Sequence, residues 1–563
     1  MSGARRSALY LDAARSARPR QMVGRLRRGV PSSLLAVGLR STGAPPPRPI
    51  AAGMGANHAP QSGPTPPPHE DGTFRAVGVS RDVASPDFWS NSEDGLLFLF
   101  HLHGFEALAR YAAGERSAVG DTFWEDVVRS WLESHSHPQR LAWHPYPTSN
   151  RVVAWSAALS SVDGWSEGIR VRVAGEILRQ ARYLGRTVEY DIGGNHVIRN
   201  GVALAVAGAV FPTAGLLERG LRVLRRETAH QILPDGGHEE RSTSYHLEVL
   251  HDLKDVSELI ERSALPIPAW LADAISRMTR WSDQMRGPDL RLPLLNDAWE
   301  APPTAGRDRA PITDLPDSGY SILRDGQDQL IFDSGPLSPP HLPPHAHADA
   351  LSFVLWADGE QVLVDPGAFT YTGPRRAEFR GTRAHNTVEV DGEDQCVFWG
   401  DFRLALAPRV LRVPPRHHEG VVILGGSQDG YGRLPEPVRH CRNLVWWPGQ
   451  GVVAIDLLRG GGRHRIRSPL HLAAGSAPDR AGPFEIRPLT DQVTVERTTG
   501  QYAPYVGEAV SAPVLEASAM LEPETPFGWS LLRPPARVLA VERDQLVVEA
   551  KGRTVAVPLV WNL

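Results

Sequence analysis

Residues 351–364 read LSFVLWADGEQVLV. Ser352 to Trp356 and Gln361 to Val364 are strand-like runs, and Ala357-Asp358-Gly359-Glu360 between them has turn chemistry. Upstream, residues 245–260 read YHLEVLHDLKDVSELI and follow another period. Tyr245, Leu247, Leu250, Leu253, Val256, Leu259 and Ile260 recur at three and four residues, as one face of a helix does. Outward from these two stretches the same division persists. Leu216, Leu217, Leu221, Leu224 and Trp270, Leu271, Ile275, Met278 repeat the helical spacing, punctuated by Pro212, Pro234-Asp235-Gly236-Gly237 and Gly287-Pro288. After about Pro316 the period is two, with Asp325-Gly326 and Asp391-Gly392 between β-rich runs and a β-rich tail over 538–547 and 555–561. An all-α domain, a toroid or bundle, is expected to precede a large antiparallel sandwich, with the switch between Gly287 and Ser318.

Composition excludes several classes. Two cysteines, Cys396 and Cys441, give no disulfide framework and are expected as free thiols. No run of about 18 apolar residues is present, so no membrane span is expected. Residues 1–50 carry ten arginines and one acid, Asp12, so the chain's −4 resolves into +9 there and −13 over the remainder. An acidic body argues against a nucleic-acid partner, yet a local cleft potential still admits an anionic substrate. Residues 1–73, rich in arginine and then in proline from Pro45 to Pro47 and Pro64 to Pro68, are expected to be disordered or leader-like. A short apolar run, Val30 to Leu39, follows the basic one, but Arg40 comes at once and no small-residue cleavage site follows. A cytoplasmic location is therefore favoured over a periplasmic or secreted one, and Met54 is the alternative start. Folded sequence is expected from near Phe88.

Four clusters carry candidate chemistry. Gly193-Gly194-Asn195-His196 stands just before a predicted helix. Asn195 there is either an N-cap or, with His196, a donor to an anionic group that the glycines let approach. Residues 234–245, PDGGHEERSTSY, form a polar loop feeding the helix that opens with Tyr245. His345-Ala346-His347-Ala348-Asp349 precedes the strand, and alternate residues of an extended chain share a face, so the two imidazoles are expected side by side. Ala350 stands where the HxHxDH metal-hydrolase signature needs its last histidine, which sets that reading aside. Asp365, in Val364-Asp365-Pro366-Gly367, lies 18 residues after His347 across a hairpin, and His385 is expected at the start of the next strand. His347, Asp365 and His385 with a water would make a tetrahedral zinc site.

Together these segments resemble the heparinase II/III-like polysaccharide lyases, from about Phe88 to Asn562. Trp143-His144-Pro145-Tyr146-Pro147 with Arg151 and Trp155 is similar to that family's WxPYP…R…W region. Gly194-Asn195-His196, the loop from Leu233 to Tyr245, Asn296-Asp297, His345 to Phe353 and His385 to Gly392 follow in matching order. Phe100-His101-Leu102-His103-Gly104-Phe105 departs from the pattern, which puts the substrate subsites there in question. The resemblance implies an α/α toroid over 74–300, an antiparallel β-sandwich over 301–563, and a cleft between them for a uronic-acid glycan.

By resemblance Asn195, supported by His196, is the carboxylate clamp, and Tyr245 and His345 are the acid/base pair. Glu239, Arg241, Tyr371 and Arg383 are candidate substrate-binding groups, with Tyr371 a reserve base. His347, Asp365 and His385 look like ligands of one divalent ion, zinc first and calcium or manganese as alternatives, in a mainly structural role. The expected partner is an acidic polysaccharide, the expected state a monomer or homodimer. Two rivals stay open: a glycosidase using Asp235, Glu239 and Glu240 as its paired carboxylates, and a non-catalytic glycan-binding protein.

Overall fold

The computed structural model describes residues 17–28, 32–39, 44–51, 53–56, 63, 68–114, 116–135, 137, 141–212, 215–306, 309–477 and 480–561. They group into a helical unit, Ser16–Ile232 with Tyr245–Thr279, and a sheet-rich unit, Leu233–Ser244 with Arg280–Leu563. Helices come first and antiparallel sheets second, as the change of period requires. The last long helix is Ala269–Met285 and the first strand of the sheet-rich unit is Ile312–Leu315. No described helix is long and apolar enough to cross a membrane.

The helical unit is the expected α/α toroid. Its helices include Leu96–Gly104, Glu106–Ala113, Ala118–Ser134, Pro145–Ser161, Glu167–Thr187, Gly194–Val210 and Leu216–Gln231. Local chemistry fixes their starts. The Ser117 and Ser166 hydroxyls accept from Gly120 N and Ile169 N, and Pro145 fills the first turn of its helix, where no amide donor is needed. Every apolar residue of the 245–260 face is buried. The family-like Trp143, Arg151 and Trp155 prove to be packing residues. Arg151 is wholly buried, donating to Gln180 Oε1 at 2.8 Å and the His103 carbonyl at 2.7 Å, and it lies 4.1 Å from the Trp131 ring centroid.

Helix Gly194–Val210 is buried almost all round, and glycine lets its neighbour close on it. A Cβ at Gly208 would stand 2.1 Å from Leu217 N, a backbone atom that has no rotamer to yield. Gly208→Ala is expected to destabilise this unit by about 3 kcal/mol, the upper part of the overpacking range. A fall of several degrees in its thermal transition checks this; an unchanged transition would show that the two helices can separate freely.

One element escapes the period analysis. Thr73–Ala76 and Val79–Asp82 form a hairpin ahead of Phe88, turned by Val77-Gly78 with φ of 46° and 77°. Four-residue strands are too short to establish an alternation. Part of 1–73 lies outside the described residues. Of the rest, helix Pro19–Arg28 sends Gln21 Nε2 to the Ile192 carbonyl, and Arg48 N and Ile50 N bond to the Val210 carbonyl and Ser160 Oγ.

In the sheet-rich unit a five-stranded antiparallel sheet runs Ile312–Leu315, Tyr320–Asp325, Asp328–Asp333, Phe353–Ala357 and Glu360–Leu363. Its last hairpin pairs Ala357 with Glu360 around Asp358-Gly359, both at positive φ, as a two-residue turn demands. A seven-stranded sheet includes Val421–Gln428, Val438–Trp447, Gly451–Gly460 and Phe527–Leu532. Alternation along its strands feeds two cores. Val422 and Leu424 join Phe332, Phe353 and Leu355 of the five-stranded sheet, while Val421 and Ile423 join Leu546, Val548 and Val555 of a three-stranded one. Cys396 and Cys441 are buried and unbridged.

Candidate active site

The helical unit carries Asn195, His196 and Tyr245. The GGNH segment is the first turn of helix Gly194–Val210 and does not precede it: Gly193 occupies the N-cap position at φ 86°, and Gly194 follows at φ 58°. Asn195 is therefore not the cap. It is buried within the turn, at the end of the helix where the aligned peptide dipoles favour negative charge. His196 is half-buried, stacked on Tyr146 at 4.3 Å, with Nδ1 3.2 Å from Glu189 Oε1. The Glu189 carboxylate is itself buried and held by Asn200 Nδ2. Tyr245, 6% exposed, stands in the first turn of helix Thr243–Arg262. In the departing segment, His101 pairs with Glu106 at 2.7 Å and His103 accepts from Trp131 Nε1, so both serve the interior. Phe100 instead faces His144 and Tyr146, with ring centroids at 4.9 and 6.5 Å.

The sheet-rich unit carries the other candidates. The polar residues ahead of Tyr245 are largely anchors. Asp235 accepts from Ser318 N and Oγ, while Ser242 and Thr243 hydroxyls donate to the carbonyls of Asp297 and Pro293. The Arg241 guanidinium donates to the carbonyls of Ser318 and Asp317. Glu239 and Glu240, both buried, each face a histidine: His341 and His345 respectively, each at 3.5 Å. Arg383 is paired to Glu516 at 2.7 and 3.0 Å. The Tyr371 ring meets that of His345 edge-on at 6.0 Å, under the Arg376 guanidinium at 5.2 Å.

His345 is half-buried, with Nδ1 2.9 Å from Asp297 Oδ2. Asp297 is wholly buried. Burial alone would raise its pKa, but the charge of Arg376 and the hydrogen bonds from His345, His347 and Arg376 hold the carboxyl well below its usual range. An ionised carboxylate only accepts, so His345 Nδ1 must carry a proton, and Nε2, 3.5 Å from Glu240 Oε2, is the nitrogen left to exchange one. The same holds for His347, whose Nε2 donates to Asp297 Oδ1 at 3.0 Å and whose lone pair is therefore at Nδ1. In His385, Nδ1 lies 2.8 Å from Asp365 Oδ2.

His347, Asp365 and His385 come together in the fold, each offering a ligand atom within 4.8 Å of the others, and all three are buried. His347 Nδ1, Asp365 Oδ1 and His385 Nε2 have no hydrogen-bond partner. Two buried imidazoles and a buried carboxylate that offer converging ligand atoms are the residue set a divalent cation such as zinc takes, with His385 Nδ1 and Asp365 Oδ2 facing one another at 2.8 Å. Burial pushes the His347 pKa down to about 4, so its ring is neutral at ordinary pH, as a ligand must be.

Sequence reasoning passes over Asp297, Arg376 and Glu189 as functional groups. Asn296-Asp297 is visible only as a short motif, and nothing local marks the other two.

The chain matches two family descriptions in succession: "Heparinase II/III N-terminus" over residues 107–307 and "Heparinase II/III-like, C-terminal" over 307–552. It is 25% identical over 423 residues to the heparin-sulfate lyase of Bacteroides thetaiotaomicron, covering 63% of this chain and 58% of that protein. The match thus spans less than two thirds of that relative's length. It is also 25% identical over 442 residues to FtsZ-localized protein C of Caulobacter vibrioides, covering 74% of this chain and 72% of that one. The fold is that of the crystal structure of heparinase III, with a TM-score of 0.71 at 17% identity over 94% of each chain. Matched by the N-terminal and then the C-terminal description of one family, the chain belongs to the heparinase II/III-like proteins.

Proposed function

We propose that this chain is a polysaccharide lyase. It cleaves a uronic-acid glycan, glycosaminoglycan-like or a bacterial acidic polymer, by β-elimination. The observation that carries the reading is the His345–Asp297 pair: a half-buried imidazole whose proton is held at Nδ1, so that Nε2 is the base. The C5 proton of a uronate is weakly acidic, and its removal puts charge on the C6 carboxylate. Asn195, at the positive end of its helix, donates to that carboxylate as the charge grows, with His196 beside it. His345 takes the C5 proton, and the Tyr245 hydroxyl protonates the departing O4. With the opposite C5 epimer Tyr245 does both. Tyr371 is the reserve base, and Glu239 and Arg383 touch flanking sugars. Arg241, bonded to two carbonyls, orders the loop.

His347, Asp365 and His385 hold one divalent ion in this reading, zinc by donor set, with calcium or manganese as alternatives. Its part is structural, tying the loop of His345 and His347 to the segments of Asp365 and His385. Elemental analysis of protein purified without chelator is expected to find about one metal per chain. His347→Ala should lose it and melt earlier; a fully active protein without metal would sink this assignment.

The lyase reading is tested by a panel of uronate polysaccharides followed at the ultraviolet edge, where only elimination creates an absorbing conjugated uronate. New absorbance on at least one polymer is expected. The glycosidase alternative is weakened by Asp235, whose carboxylate is committed to Ser318 and to Gly237 N. A second reading rests on the larger share of the chain that matches FtsZ-localized protein C: a role beside FtsZ. Silence across the whole panel would favour it.

A further inference from the structure

Asp297 accepts four hydrogen bonds. Oδ1 takes Arg376 Nη1 at 2.6 Å and His347 Nε2 at 3.0 Å; Oδ2 takes Arg376 Nη2 at 2.8 Å and His345 Nδ1 at 2.9 Å. Each oxygen thus serves one guanidinium N–H and one imidazole N–H, and two rings hang from one carboxylate plane. Arg376 fixes that plane. Its bidentate fork admits one orientation, and it also donates to the Pro344 carbonyl at 2.8 Å and the Thr370 carbonyl at 3.2 Å. The residue just before His345 and the turn leading to Tyr371 are therefore tied to the same side chain.

We propose that Asp297, clamped by Arg376, is the positioning residue that couples the metal centre to the base. The coupling rests on the reading of His347, Asp365 and His385 as metal ligands. A ring ligated at Nδ1 cannot turn about its last torsion, so ion binding at His347 fixes where Nε2–H points. That N–H holds Oδ1, Arg376 holds both oxygens, and Oδ2 holds His345 Nδ1. The direction of His345 Nε2 is thereby set from the metal side. Asp297→Asn breaks this linkage without changing size. An amide offers one acceptor oxygen in place of two, sets an N–H against an imidazole N–H, and leaves the Arg376 charge buried without its counter-ion.

The test uses the full chain and Zn2+ alone as probe, with affinity read by competition against a chelator. The wild type is expected to bind one zinc. Asp297→Asn is expected to bind about 10- to 100-fold more weakly, the usual cost of losing the partner of a ligand imidazole, and Arg376→Lys, which keeps that partner but frees its plane, is expected to bind more weakly than the wild type by a smaller factor. His345→Ala, which leaves the His347 bond in place, should bind as the wild type does. Saturating zinc should then refill Asp297→Asn without restoring kcat, while KM stays near the wild-type value. Wild-type zinc affinity in both Asp297→Asn and Arg376→Lys, or kcat fully recovered on refilling, would overturn the coupling while leaving the metal centre standing. A wild type that binds no zinc would remove the metal centre itself, and the coupling with it. Should Asp297→Asn fail to fold, Arg376→Lys decides.

Discussion

Tyr245→Phe is expected to lower kcat by about 100-fold or more while KM moves little, because a general acid acts in the transition state and hardly in ground-state binding. The change removes one oxygen and keeps the ring. Tyr245 is 6% exposed at the start of its helix, so a tyrosine that only packs there would lose almost nothing as phenylalanine. His345→Ala should fall as far on substrates whose C5 proton faces it, and less on the other epimer. In the proposed reaction both act on one elimination, so the double variant should be less damaging than the product of the two singles. Steady-state kinetics on an oligosaccharide of a single uronate epimer, with melting curves to establish folding, checks all three.

The second large effect concerns charge. Asn195→Ala is expected to reduce kcat by about 100- to 1,000-fold, the range for removing one donor aimed at developing negative charge. Asn195 is buried in the first turn of helix Gly194–Val210, entered through Gly193 and Gly194 at positive φ. It is thus carried by rigid backbone, and its loss cannot be made good by a mobile neighbour. Asn195→Asp should be worse still, setting a carboxylate against a carboxylate. A KM that rises with kcat unchanged would instead show ground-state binding only.

Much of this architecture is written in local patterns. The helical face from Tyr245 to Ile260 and the Asp358-Gly359 turn can be read directly because each depends on neighbours within a few residues. The grouping of His347 with Asp365 and His385 is nearly as local, since a hairpin returns the chain after 18 residues. Other features depend on distant partners. Asp297 meets His345, His347 and Arg376 across 48, 50 and 79 residues, so Asn296-Asp297 looks like an ordinary turn until the chain is folded. Arg241 also depends on distant partners: a cation in a polar loop resembles a substrate ligand, and in the fold its Nη1 and Nη2 donate to the carbonyls of Ser318 and Asp317. From its neighbours Asn195 is ambiguous between cap and donor, and the cap position belongs to Gly193. The short hairpin at 73–82 has no periodic signal at all.

The reaction class is tested most directly by running turnover in water enriched in oxygen-18 and weighing the products. Elimination breaks the C4–O4 bond without adding water, so the expected fragments are unlabelled at the cut, with one end lighter by a water and absorbing in the ultraviolet. Fragments that carry one heavy oxygen per cut, with no new absorbance, would make the chain a hydrolase and contradict the roles of Tyr245 as acid, His345 as base and Asn195 as carboxylate clamp.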